Sequence, residues 1–313
     1  MKKVTKNIIL TIVAITLVLF IAVLTDNKKN NSQEILVNDN SPDTEALSTK
    51  EDLTFSNLVD IATQEEVRSA MKYAGITHDS VDSFFEDVND FNTTVEEKTL
   101  VQSGFAKINS SEPEYDLVAM IEMWDSKNPL FIGYNCRITT YDLMKDLITI
   151  KNPDPKGSEW MVFDKNALEN NPKKLFTEDQ YQNFQTFFAS IPAEETKDIS
   201  IHLKNVQANW KSRGVGFPDN DNLSIISVFF HDFENYLFIG HMGVLITTKN
   251  GELLFLEKLA FHAPYQAVKF NNRIELNDYL MNKYDTSWNQ PEARPFIMEN
   301  DQLLDGYRKN QNN

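Results

Sequence analysis

Apolar residues recur at helical spacing through the first half of this chain and then give way to runs dense in β-branched and aromatic residues. That change of pattern restricts the fold to helices packed on a sheet. Val81, Phe84, Phe85, Val88 and Phe91 form one helical stripe, and Leu117, Met120, Ile121 and Trp124 form another. Both stripes are read as core-facing. Thr63 with Glu66 and Thr177 with Gln180 have the spacing of capping boxes. Helices are therefore expected over VRSAMKYAG, stopped at Gly75, and over the segment carrying Tyr181, Phe184, Phe187 and Phe188. In the second half LSIISVFF, YLFIGHMGVLITT and ELLFLEKLAF read as buried strands. Lys249-Asn250-Gly251 is a hairpin turn signal, and ELNDYLMNKYD reads as a short helix covering the sheet. The expected class is α+β, a helical first half packed on an antiparallel sheet.

Ahead of this domain the chain has two further parts. Lys2, Lys3 and Lys6 precede an uncharged apolar run from Ile8 to Leu24, long enough as a helix for roughly 25 Å, the short end of a bilayer core. Residues 1–25 are read as a membrane anchor or signal segment, with the lysines on the cytoplasmic side. The exit Ala-Val-Leu-Thr-Asp is a poor cleavage site, which favours an uncleaved anchor. Residues 26–53 are polar and without sustained period, and are read as a flexible tether. Residues 54–313 are expected to form one extracytoplasmic domain.

Charge narrows the function classes. The net charge is −16 and no stripe of arginine and lysine appears, so nucleic acid is not an expected partner. The membrane is, through the N-terminal segment. Cys136 is the only cysteine, so no internal disulfide can form and the fold depends on packing.

Cys136 stands just before TTYDLMKDLI, which reads as a helix. A thiol at a helix N-terminus faces the positive end of the helix dipole and unpaired N–H groups, which stabilise a thiolate and can hold an oxyanion. The same position also suits a small buried hydrophobe. Among five histidines, His78 and His202 are read as surface or capping residues, His231 as a strand end and His262 as a loop residue. His241 differs, because it lies in FIGHMGVLI between Gly240 and Gly243, where backbone or substrate can approach closely. If Lys249, Asn250 and Gly251 form a three-residue loop, Gly243 faces Glu257, and Glu257 lies diagonal to His241 on the same sheet face. Glu257 would then orient the imidazole. A two-residue Asn-Gly turn would place Lys258 there instead.

A cysteine at a helix start, a histidine on a later strand and a polar residue on the next strand resemble the papain-like fold in its NlpC-type cell-wall peptidase form. The matching residues are Asn135-Cys136-Arg137, His241-Met242-Gly243-Val244 and Glu257. Arg137 is bulky where a small residue is usual. The resemblance implies a papain-like core with Cys136, His241 and Glu257 as the catalytic residues. A second likeness covers more of the chain. YNCRITTYDLM, GHMGVLITTKNGELLFLEKLAFHAPYQAVKF, DYLMNKYD and PFIMEND resemble a bacterial family designated only as a domain of unknown function, over residues 55 to 305. Its members occur in secreted or lipid-anchored proteins of Gram-positive bacteria. That likeness implies a location and no activity.

Two functions compete on these residues. The first is a surface-tethered cysteine hydrolase or transferase acting on amide or ester bonds, with cell-wall peptide as the expected substrate. Tyr134 and Asn135 are its candidate oxyanion contributors and Arg137 a candidate substrate-binding residue. The second is a non-catalytic extracytoplasmic binding module, in which His241 would be remote from Cys136. No cofactor is expected. His231, Asp232 and His241 lack a recognised metal-ligand spacing, and Pro218 to Asn222 is read as a solvated turn rather than a calcium loop.

Overall fold

The computed structural model describes residues 52–310, apart from residues 97, 111 and 287–289. The anchor and nearly all of the tether lie outside the described residues. Among those described, no helix is long and apolar enough to cross a membrane.

The chain enters as strand β1 (Asp52–Ser56), then forms helices α1 (Ile61–Tyr73) and α2 (His78–Val95), strand β2 (Ala106–Asn109), and helices α3 (Leu117–Lys127) and α4 (Cys136–Met144). Strand β3 (Thr149–Ile150), helices α5 (Val162–Glu169) and α6 (Glu178–Phe188), strand β4 (Ile191–Pro192), helix α7 (Ile199–Arg213) and strand β5 (Val215–Gly216) follow. Four long strands then run in succession: β6 (Leu223–His231), β7 (Tyr236–Thr247), β8 (Leu253–Ala260) and β9 (Ala263–Phe270). Helix α8 (Arg273–Tyr284) and strands β10 (Phe296–Glu299) and β11 (Gln302–Leu303) complete the domain. The class is mixed α/β, with eight helices among the described residues and a nine-stranded antiparallel sheet in the order β11-β10-β6-β7-β8-β9-β1-β2, to which β4 adds beside β7.

The sheet separates two cores. Ile225, Phe229, Val244, Ile246, Leu254 and Leu256 pack with Phe85 of α2, Tyr141 of α4 and Phe184 of α6. Ile226, Val228, Leu245, Phe255 and Val268 face the other way, beneath Leu276, Leu280 and Met281 of α8. Alternation along the strands sends successive side chains to these two layers, so both faces of the sheet are dry.

Several expectations shift in detail. The first helix starts at Ile61, because Asp60 caps it by accepting from Thr63 N–H at 3.0 Å. Thr63 binds Asp60 with its own hydroxyl (2.7 Å) instead of opening the helix. The Thr177–Gln180 capping box is present as expected. Strand β1 begins within the segment read as tether and joins the sheet between β9 and β2. Helix α7 escapes the sequence pattern because its buried side chains are His202, Val206, Trp210 and Arg213. Two of these are polar, which hides the stripe. His202, read as a surface or capping residue, is fully buried within α7 and bonds Thr196 O at 2.8 Å.

Candidate active site

The β7–β8 hairpin sets the site. Gly251 takes φ +81°, and Thr248 N–H bonds Glu252 O at 2.8 Å, closing the three-residue loop. Gly243 therefore pairs with Glu257, the pair furthest from the turn; beyond it the two strands are no longer partnered. On its other side β7 carries a bulge. Val228 pairs with His241 and Phe229 with Ile239, so Gly240 is the extra residue. A bulge bends its strand and re-aims the next side chain. His241 follows it directly, at the point where β7 parts from β8.

Helix α4 delivers the thiol. Asn135 is extended and caps the helix, its Oδ1 accepting from Ile138 N–H at 3.0 Å. Cys136 is thus the first helical residue, and the N–H groups of Cys136 and Arg137 have no partner within the helix. Asn135 Nδ2 donates to Asp164 Oδ1 at 2.8 Å, and Arg137 forks onto the same carboxylate through Nε (2.8 Å) and Nη2 (2.7 Å). Arg137 also donates to Ile239 O at 3.3 Å and lies 4.8 Å over the Trp160 ring. Asp164, which no local sequence pattern marks, therefore braces both neighbours of the cysteine.

The structure brings Cys136, His241 and Glu257 together. His241 Nε2 lies 2.6 Å from Glu257 Oε2, and the imidazole and the Cys136 thiol are close enough that each shifts the proton affinity of the other. With Nε2 on the carboxylate, Nδ1 is the nitrogen left for sulfur. The sulfur also stands 4.0 Å from Gly240 O. Tyr284 stacks on the imidazole at 4.9 Å between centroids, and Tyr279 donates to Glu257 Oε1. Cys136 is 5% exposed and His241 1%.

Burial opposes every charge in this cluster, and the partners outweigh it. Desolvation pushes the Cys136 thiol up, but His241 and Arg137 hold it below its ordinary value. Desolvation pushes His241 down, but Cys136 and Glu257 raise it to about 9. Glu257 is raised by burial and lowered further by His241, Lys283 and Tyr279, ending below the usual carboxylate range. The arrangement favours a thiolate–imidazolium pair with an ionised carboxylate behind it.

The remaining candidates are occupied elsewhere. The Tyr134 hydroxyl donates to Asn171 at 3.1 Å, and the Asn135 side chain is committed to the helix cap and to Asp164. Neither side chain is available to an oxyanion. The Arg137 guanidinium, expected to meet substrate, is held by Asp164. His231 bonds Asn235 and Ala293 rather than converging with His241. Among the described residues no cluster of three or more His, Cys, Asp or Glu side chains has metal-binding geometry.

Fold and site together define a mixed α/β domain with a buried Cys–His–Glu constellation at a strand divergence. The chain belongs to the family described as domain of unknown function DUF4300, whose model matches residues 54–304. No curated protein and no solved structure matches the chain.

Proposed function

We propose that this domain is a cysteine hydrolase or transferase acting on amide or ester bonds, on a papain-like, NlpC-type core. Its expected substrates are cell-wall peptides of Gram-positive bacteria, and its N-terminal segment tethers it at the extracytoplasmic membrane surface or is cleaved to release it. The observation that carries the reading is the juxtaposition of Cys136 at the start of α4 with His241 beyond the Gly240 bulge, the sulfur 4.0 Å from Gly240 O and Glu257 Oε2 2.6 Å behind the imidazole. In the reaction the Cys136 thiolate attacks the carbonyl carbon, and the resulting oxyanion lies against the free N–H groups at the start of α4. The imidazolium gives its proton to the leaving amine or alcohol as the C–N or C–O bond breaks. His241 then takes a proton from water, or from an acceptor nucleophile, which attacks the thioester and frees the thiol.

The binding-module alternative expects His241 to be apart from Cys136, and the contact between them favours the enzyme. The test is the pH dependence of Cys136 alkylation by iodoacetamide, with and without His241→Ala, followed by turnover of wall peptides. Alkylation is expected well below the ordinary thiol range of about 8.5 and about tenfold slower at neutral pH in His241→Ala. A wild-type profile indifferent to His241 would sink the proposal. Cys136→Ala is expected to abolish turnover.

A further inference from the structure

Glu257 is itself held by a chain of polar side chains, buried except for the half-buried Tyr115, that the catalytic reading does not use. Tyr279 OH donates to Glu257 Oε1 and lies 3.3 Å from the Gln266 side-chain amide. The other end of that amide is 2.6 Å from Tyr115 OH, which in turn accepts from Asn57 Nδ2 at 2.9 Å. Asn57 is fixed at both ends, donating to Tyr265 O (3.0 Å) and accepting from Val101 N–H (2.9 Å). Asn57 and Gln266 are fully buried, and Tyr279 is 5% exposed.

Counting protons orders this chain. With Gln266 Nε2 toward Tyr115, that tyrosine receives two donors and its own proton has no acceptor in the cluster. Gln266 Oε1 would meanwhile face a Tyr279 proton already given to Glu257. With the amide reversed both conflicts disappear. Asn57 then donates to Tyr115, Tyr115 to Gln266, Gln266 to Tyr279, and Tyr279 to Glu257. We propose that Asn57, Tyr115, Gln266 and Tyr279 form a one-directional hydrogen-bond relay ending on Glu257, with Tyr279 as the positioning residue for the carboxylate that orients His241.

Each member donates toward the carboxylate, so the relay favours its ionised form and leaves Oε2 for His241. Its catalytic consequence rests on the reading of His241 as the base; its physical effect does not. The groups facing the His241–Glu257 pair are Cys136 on α4, Tyr279, Lys283 and Tyr284 on α8, and Tyr115 ahead of α3; Arg137 acts on Cys136, and Glu112 on Tyr279 and Tyr284.

The experiment is an NMR titration of His241 in the full chain carrying Cys136→Ala, with and without Tyr279→Phe. Losing the phenol frees Glu257 Oε1 from its anchor, so the carboxylate can turn away and the imidazolium loses part of its contact with the counter-charge. The His241 midpoint is expected to fall by about one pH unit, the size of one charge-assisted hydrogen bond. Gln266→Leu breaks the relay one step upstream and is expected to give a smaller fall. A midpoint unmoved by both variants, in protein that remains folded, overturns the relay. Sulfur is absent from this background, so that failure is separate from failure of the enzyme reading, which alkylation of Cys136 decides.

Discussion

At Gly243 a methyl group would stand 2.5 Å from Leu256 O and 2.5 Å from Phe255 Cζ. The first neighbour is backbone and cannot yield without opening the Gly243–Glu257 pair. Gly243→Ala is therefore expected to cost about 1–3 kcal/mol, the range for overpacked positions, and to slow Cys136 alkylation because Glu257 is pushed off His241. Urea unfolding and the alkylation rate check the two effects; a variant with wild-type values of both would refute the account. Lys258, on the opposite face from Glu257, has a different role. It is 1% exposed, and its ammonium donates to Ala260 O (2.9 Å), Phe261 O (3.2 Å) and Ala263 O around the β8–β9 turn, above the rings of Phe91 and Tyr265. Burial lowers its proton affinity well below that of an ordinary lysine, yet three acceptors use all three ammonium protons. Lys258→Met strands those carbonyls, and about 3 kcal/mol of stability is expected to be lost in urea unfolding.

At the scale of elements, His231 joins the end of β6 to its surroundings. Its Nε2 donates to Asn235 (3.2 Å), its Nδ1 accepts from Ala293 N–H (3.1 Å), and its ring meets that of His202 on α7 at 4.6 Å. Accepting at Nδ1 requires a neutral ring. Burial first, and His202 second, lower its proton affinity below the ordinary value of 6.5. The unfolded chain therefore binds the proton more readily. The stability this group supplies is present above pH 6.5 and lost as pH falls through 6.5 toward the folded value. The fall in urea midpoint between about pH 7.5 and 5.5 is expected to be larger in the wild type than in His231→Gln; parallel falls would show that His231 does not carry it. The sequence reveals some elements better than others for related reasons. The Lys249-Asn250-Gly251 turn narrows the hairpin to two registers from the chain alone, one placing Glu257 beside His241 and the other Lys258, and the Thr248–Glu252 bond selects the first. The bulge at Gly240 depends on β6, a separate strand, and leaves no local pattern. Asp164, Tyr279, Gln266 and Asn57 reach the site only through long-range topology, and the polar buried face of α7 masks its period.

At the scale of the whole domain, the sheet is completed by its first and last segments, and β1 shows how much depends on the first. It lies between β9 and β2, pairing Thr54 with Lys269 on one side and Asp52, Leu53, Thr54 and Phe55 with Asn109, Ile108, Lys107 and Ala106 on the other. Leu53 and Phe55 are buried in the core beneath α8. Asn57, one residue past the strand, begins the hydrogen-bonded chain that ends on Glu257. The family match starts at residue 54, as does the domain boundary read from the polar tether. A fragment cut there loses two of the four β1–β2 pairs and the Leu53 side chain, 4% exposed in the fold. Burying a leucine contributes about 1.5–3 kcal/mol, so a fragment beginning at Thr54 is expected to be less stable than one beginning at Ser48 by about 2 kcal/mol. Because β1 also holds Asn57, the shorter fragment is expected to alkylate more slowly at Cys136 at neutral pH, even where both fragments are fully folded. Coincident urea transitions would mean that β1 ahead of Thr54 adds nothing to the sheet. A difference in stability without one in alkylation would confine the effect of β1 to the core beneath α8 and separate it from the carboxylate.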